Sequence, residues 1–154
     1  QLLLGKYLGF TLFIGLILAA LVALLVFTPL AVPFLGDIAT FLAFALLFTL
    51  ASLGIGFLIS AWSSSDSQAV QLSMLVLLMS IFFSGFFLPL ENFASEVRYV
   101  GYALPLTHAI TGFQAIMLRG IAPTLFAWEA LGAIAAITFV SVLLFMRWRF
   151  TQIA

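Results

Sequence analysis

The chain contains no cysteine, so disulfides, thiol chemistry and thiolate metal sites are all excluded. Charge is almost as scarce: five Lys and Arg balance five Asp and Glu, and the net charge is zero. With no basic surplus, nothing in the composition points to nucleic acid as a partner. The phosphate-cradling GxxxxGK[ST] pattern is missing as well, so the chain carries no ATP-hydrolysing loop of that kind. A start methionine is also absent. The chain begins at Gln1 inside an apolar run and is read as part of a longer protein.

What remains is hydrocarbon. Across 154 residues, 66% are hydrophobic and 6% charged, with a mean hydropathy of +1.35. Soluble domains carry about 25% charged residues. The composition therefore predicts an all-α integral membrane protein, a single transmembrane unit over residues 1–154.

Four apolar runs are long enough to cross a bilayer. About 20 residues at roughly 1.5 Å each cover the roughly 30 Å hydrocarbon layer, which gives spans over 7–27, 39–61, 69–88 and 127–146. In the first, Gly15, Ala19 and Ala23 recur every fourth residue and offer a neighbouring helix a close approach. Residues 28–38, TPLAVPFLGDI, form a surface turn. The second run carries Thr49, Ser52, Gly56 and Ser60 on one narrow face. Trp62 then marks an interface, and Ser63, Ser64, Ser65, Asp66, Ser67 and Gln68 make the most polar stretch of the chain. That stretch either contacts another protein or is a solvated turn in which Asp66 or Ser67 caps the next helix. The third run places Ser73, Leu77, Ser80 and Ser84 along one stripe. Hydroxyls in a bilayer return to their own helix, pack against a partner, or border a wetter path.

Ser84 to Gly120 breaks the pattern. It contains Pro89, Gly101 and Pro105, and it holds Glu91, Glu96, Arg98 and Arg119. Tyr99 to Leu118 is free of Asp, Glu, Lys and Arg, yet two arguments oppose reading it as a fifth span. Four spans put Lys6, Arg147 and Arg149 on one side against Arg98 and Arg119 on the other, a majority of one charge that assigns Lys6 and the C-terminus to the cytoplasmic face. Pro105 removes an amide donor and disfavours helix at Leu104, while Thr107 and His108 would need partners at mid-membrane. Two short helices over 92–103 and 106–118, dipping back into the outer leaflet, avoid the conflict. Both ends of the chain then face the cytoplasm. Trp148 and the two terminal arginines anchor the last span.

Several segments together resemble the permease subunits of type 2 ABC exporters. They are LLLGK at 2–6, ASLGIGFLIS at 51–60, SGFFLPLENF at 84–93, YALPLTHAITGFQAIMLRG at 102–120, and the closing arginines. The resemblance covers essentially the whole chain and implies the last four of six spans. It departs from the family at NFASEV, where members often carry a proline.

The resemblance further implies ATP-driven alternating access in the cytoplasmic membrane. Residues 63–68 would lie near a nucleotide-binding ATPase subunit that holds ATP-Mg, this chain binding no cofactor itself. The Ser73, Leu77, Ser80, Ser84 stripe would border the path at a dimer with a second permease subunit, identical or different, within membrane lipid. Gly85, Pro89, Glu91, Gly101 and Pro105 would form the external gate or re-entrant hinge. Charge-free spans suit an amphiphilic or apolar cargo. Two other classes are weighed beside this one. One is an intramembrane serine hydrolase with Ser84 as nucleophile and His108 as base, although Phe82 and Phe83 stand where a rhomboid-like enzyme has glycine two residues before its serine. The other is a membrane scaffold that transports nothing.

Overall fold

The computed structural model describes residues 2–27, 34–87 and 89–151. Six α-helices follow one another: α1 Leu2–Phe27, α2 Ile38–Trp62, α3 Asp66–Phe83, α4 Ser95–Tyr102, α5 Pro105–Arg119 and α6 Leu125–Thr151, with a 3-10 turn at Leu90–Asn92. Among the described residues there is no strand. Ile38–Trp62, Asp66–Phe83 and Leu125–Phe145 are long and apolar enough to cross a membrane. Helix α1 has 26 residues, about 39 Å at the usual rise. Residues 28–33 of the expected surface turn lie outside the described residues, as do Leu88 and the side chains of Lys6, Trp148 and Arg149.

Local chemistry fixes most helix ends. Asp37 caps α2, its Oδ2 accepting from the Thr40 N–H at 2.9 Å and the Thr40 hydroxyl at 2.8 Å. The cap of α3 is Ser65, whose Oγ accepts from the Gln68 N–H at 3.3 Å. This is one residue before the expected Asp66 and two before Ser67. Gln68 reaches back in turn, its Oε1 accepting from the N–H and hydroxyl of Ser64. This reciprocal arrangement satisfies donors at the helix start that have no partner within the helix. Pro105 opens α5 with Leu104 extended before it, as the proline ring requires. Gly120 closes it in the left-handed region at φ 64°, and the Ile121 N–H returns to the Ala115 carbonyl at 3.1 Å.

Helix α2 is the hub, packing against α1, α3, α5 and α6. Its Phe41, Phe44, Ala45 and Ala51 join Ile116 of α5 and Ala127 and Leu131 of α6 in the core. Phe44 is wholly buried, edge-on to Phe113 at 5.5 Å and to Trp128 at 5.0 Å between ring centroids. Its ring occupies the space a Cβ at Gly112 would need. Between spans in lipid, association comes from fit rather than from water exclusion, so the absence of a side chain at Gly112 is what seats α5 on α2. On the other side of α2, Gly15 brings Leu46 close, since a Cβ there would lie 3.2 Å from Leu46 Cδ2. Ala19 lines the same α1/α2 cleft, while Ala23 is exposed.

Helix α5 runs antiparallel to the first half of α2. The Leu35 N–H donates to the Met117 carbonyl at 3.1 Å, Gly112 lies under Phe44, and Pro105 and Leu106 line a groove with α2 residues from Phe48 onward. Its 15 residues extend about 22 Å and the 8 of α4 about 12 Å. Each is shorter than the roughly 30 Å hydrocarbon layer.

Some limits differ from those read in the sequence. Helix α3 stops at Phe83, not 88, because Gly85 takes φ 84° and turns the chain. Helix α4 starts at Ser95 rather than 92. Leu90–Asn92 forms its own turn, Phe93 follows in extended backbone, and the Arg98 guanidinium donates to the carbonyls of Glu91 at 3.1 Å and Phe93 at 3.3 Å, tying that turn to α4.

The Asp37 cap carries a pH signature. The Thr40 N–H, then the Thr40 hydroxyl, hold the Asp37 carboxyl below its ordinary value of 3.8. A carboxyl lowered in the folded state stabilises above the unfolded value, and that contribution is lost as pH falls through the folded one. Replacing Asp37 by alanine will lower the melting temperature in detergent at neutral pH, and the deficit will close well below pH 3.8.

Candidate functional site

Between α2 and α3 lies a groove of about 230 Å³. Phe48, Ser52, Ile55, Gly56 and Ile59 form one wall and Ser73, Val76, Leu77 and Ser80 the other, with Pro105 and Leu106 of α5 closing one end. Three members of the expected stripe, Ser73, Leu77 and Ser80, therefore share the groove with Ser52 and Gly56 of the α2 stripe, whereas Thr49 and Ser60 of that stripe do not line it. Ser84 does not join them. It is buried at the helix end and donates to the Ile81 carbonyl at 3.2 Å.

Two sets of hydroxyls stand out on the long helices. Thr49 donates to the Ala45 carbonyl at 2.8 Å, Thr138 to Ile134 at 2.7 Å and Ser141 to Ile137 at 2.7 Å. On α5, Thr111 does the same toward His108 at 3.0 Å. Each returns its proton to its own helix and is chemically closed. Ser52, Ser73 and Ser80, the three that line the groove, make no side-chain hydrogen bond among the described residues. Lys, Arg, Asp and Glu are absent from the lining.

The expected hinge residues divide. Gly85 and Gly101 meet on opposite sides of Leu90: a Cβ at Gly85 would lie 3.4 Å from Leu90 Cδ1, and one at Gly101 would lie 2.7 Å from Leu90 Cδ2 and 2.6 Å from the Phe83 carbonyl oxygen. Pro105 is buried at the groove end. Pro89 and Glu91 are exposed, and Glu91 contributes through its backbone carbonyl to Arg98. The wedge at Leu90 and the clasp at Arg98 were not legible in the sequence, since both depend on which turns come together.

The bend between α4 and α5 is held by side chains the sequence left seeking partners. Thr107 Oγ1 donates to the Gly101 carbonyl at 2.5 Å. His108 Nε2 lies 2.8 Å from the Tyr102 carbonyl, and since a carbonyl only accepts, Nε2 carries the proton. Ser84 and His108 are thus each committed to a separate backbone carbonyl, and the pairing required by a serine hydrolase is not formed.

The polar stretch 63–68 spends its groups locally. Ser63 Oγ donates to the Ile59 carbonyl at 2.7 Å, and Ser64, Ser65 and Gln68 bond one another. Asp66 and Ser67 stand exposed at its outer edge. Among the described residues, no group of His, Asp and Glu could hold a metal ion.

This arrangement of long apolar helices, a short helix pair and a polar turn coincides with a family match. Residues 1–118 match the family described as ABC-2 type transporter. The chain belongs to that family. Over 132 residues it is 29% identical to the probable multidrug ABC transporter permease YbhS of Escherichia coli K12, an alignment covering 84% of this chain and 35% of that protein. Over 92 residues it is 36% identical to ABC transporter G family member 20 of Dictyostelium discoideum, covering 58% of this chain and 12% of that protein. The chain thus spans about a third of the YbhS length. No solved structure matches. This ABC-2 chain is a multi-pass membrane protein of the permease type.

The bend of this ABC-2 chain is testable through Thr107. Thr107→Val removes the bond to Gly101 while keeping the shape, at a cost of about 0.5–1.5 kcal/mol. The melting temperature in detergent will fall, and Thr107→Ser will restore it.

Proposed function

We propose that the chain is the membrane-embedded part of an ATP-driven ABC exporter permease that moves an amphiphilic or apolar substrate across the cytoplasmic membrane by alternating access. The observation that carries this reading is the ABC-2 match over residues 1–118, joined to spans without internal charge. The relative from Escherichia coli is named a multidrug permease, in keeping with a cargo recognised without ion pairs. Four spans, α1, α2, α3 and α6, cross the membrane, and α4 and α5 re-enter from the outside. Supporting this, α5 ends beside the start of α2 and begins beside its middle, and Lys6, Arg147 and Arg149 then share the cytoplasmic side.

ATP-Mg binds a separate ATPase subunit, and this chain needs no cofactor. The exposed Asp66 and Ser67 edge is the surface offered to that subunit, because the remaining polar groups of the turn are tied up within it. A closed ATPase dimer would favour one permease state through differential contacts there, shifting a two-state equilibrium. A second permease subunit, identical or different, completes the path. The exposed face of α3, with Met74, Leu78 and Phe82, supplies the apolar surface for it or for lipid.

Two measurements check this. A cysteine at Asp66 in the full-length permease will cross-link to the co-expressed ATPase subunit, to an extent that changes with nucleotide; no cross-link in any nucleotide state removes the contact. Cysteines at Arg98 and Arg119 will react with an impermeant maleimide in intact cells. Labelling of either only after the cells are opened would overturn the re-entrant topology.

A further inference from the structure

We propose that the closed end of the α2/α3 groove is a binding site for an apolar molecule that carries an uncharged hydrogen-bond acceptor, an ester or amide carbonyl. Ser80 carries the argument. It is 9% exposed, lines the groove, and its hydroxyl makes no hydrogen bond among the described residues. The residue is largely buried, yet its oxygen is not sealed off, the one fully buried side-chain polar atom without a partner among the described residues being Arg98 Nε, so the Ser80 hydroxyl opens onto the groove and can donate to a guest there. Every other buried hydroxyl of the described residues, on Thr49, Ser84, Thr107 and Thr138, is bonded to a backbone carbonyl. Ser52 and Ser73 lie open in the same walls.

The second observation is the start of α5. Leu104 supplies no side-chain cap, and Leu106, in the first turn, has no acceptor within its own helix. Leu106 lies at the groove end beside the positive pole of the helix. A hydroxyl proton and an amide proton together favour an oxygen acceptor. With no cation in the lining, an ionised carboxylate or phosphate would be left uncompensated. The matching group is a neutral carbonyl. The volume of about 230 Å³ falls below the roughly 300–1,000 Å³ of sites that enclose a drug-sized molecule. The groove therefore holds the carbonyl end, and the apolar remainder lies along α3. This binding goes beyond the transport reading and does not require it.

The test uses full-length permease in nanodiscs of dialkyl ether phospholipid, so that a diazirine-bearing fatty acid methyl ester is the ester present. Photolabelling of α3 by this ester will exceed that by the diazirine alkane of equal length. Ser80→Ala will reduce ester labelling about fivefold, the loss of one hydrogen bond, and leave alkane labelling unchanged. Ser141→Ala, which removes a hydroxyl already returned to Ile137, will change neither. Gly56→Leu will abolish labelling, because a Cβ at Gly56 meets nothing within 4 Å and the side chain can fill the groove. Repeating the labelling in diester phospholipid separates the sources: reduced labelling assigns the site to lipid esters, and undiminished labelling assigns it to a solute. Equal labelling by ester and alkane, or Ser80→Ala labelling equal to wild type, would overturn the proposal. ATP-driven efflux measured with the same protein bears on the transport reading alone.

Discussion

The contact between Phe44 and Gly112 is the constraint from which the rest of the arrangement follows. In lipid, apolar side chains gain little by meeting one another, so helices stay together where their surfaces fit. Phe44 is fully buried, and it can be so because α5 presents a bare backbone beneath its ring. That fit brings Ile116 into the α2 and α6 core and brings the end of α5 to Leu35 and Gly36. Once α5 is fixed at that depth, Pro105 and Leu106 must end at the middle of α2, where they close the groove. A functional feature thus depends on a packing detail about 10 Å away along α5, some two turns at the usual pitch.

The same structure sorts its polar groups by use. Thr49, Thr138 and Ser141 return their hydroxyls to their own helices, Thr107 and His108 tie the α4/α5 bend, and Arg98 gathers two carbonyls of the loop before it. The groove hydroxyls are left free of such duties. This division gives the ABC-2 family match a physical counterpart: a membrane unit in which many hydroxyls are turned back on their own helices while three serines open onto one cleft.

Much of the local structure was legible in the sequence. Apolar run lengths gave the helical class and located α2 and α6, and Pro105 announced the start of α5 because its ring sets the backbone on both sides. The errors are equally instructive. The third helix was read through to residue 88 because Phe86 and Phe87 continue the apolar run, yet Gly85 turns left-handed and ends it at Phe83. Hydropathy registers what a residue prefers to touch, and it is blind to φ. The cap at Ser65 was placed one or two residues late, because four neighbouring serines and an aspartate can each cap and only the Gln68 return bond selects one. For the site, the two small-residue stripes were visible at their spacings, but neither stripe shows that it faces the other.

The sequence alone determined properties that each residue carries regardless of its distant neighbours: membrane residence, helix periodicity, the breaks at proline and glycine, and the lack of any charge able to serve an ion inside the spans. Tertiary structure alone decided which stripes became a groove, which serines kept their hydroxyls open, and that Leu90 lodges between Gly85 and Gly101. The physical reason is that hydropathy and backbone sterics act within a turn or two of chain, whereas packing joins residues far apart in sequence. Gly112 and Phe44 are a small side chain and a large one until the fold sets one against the other.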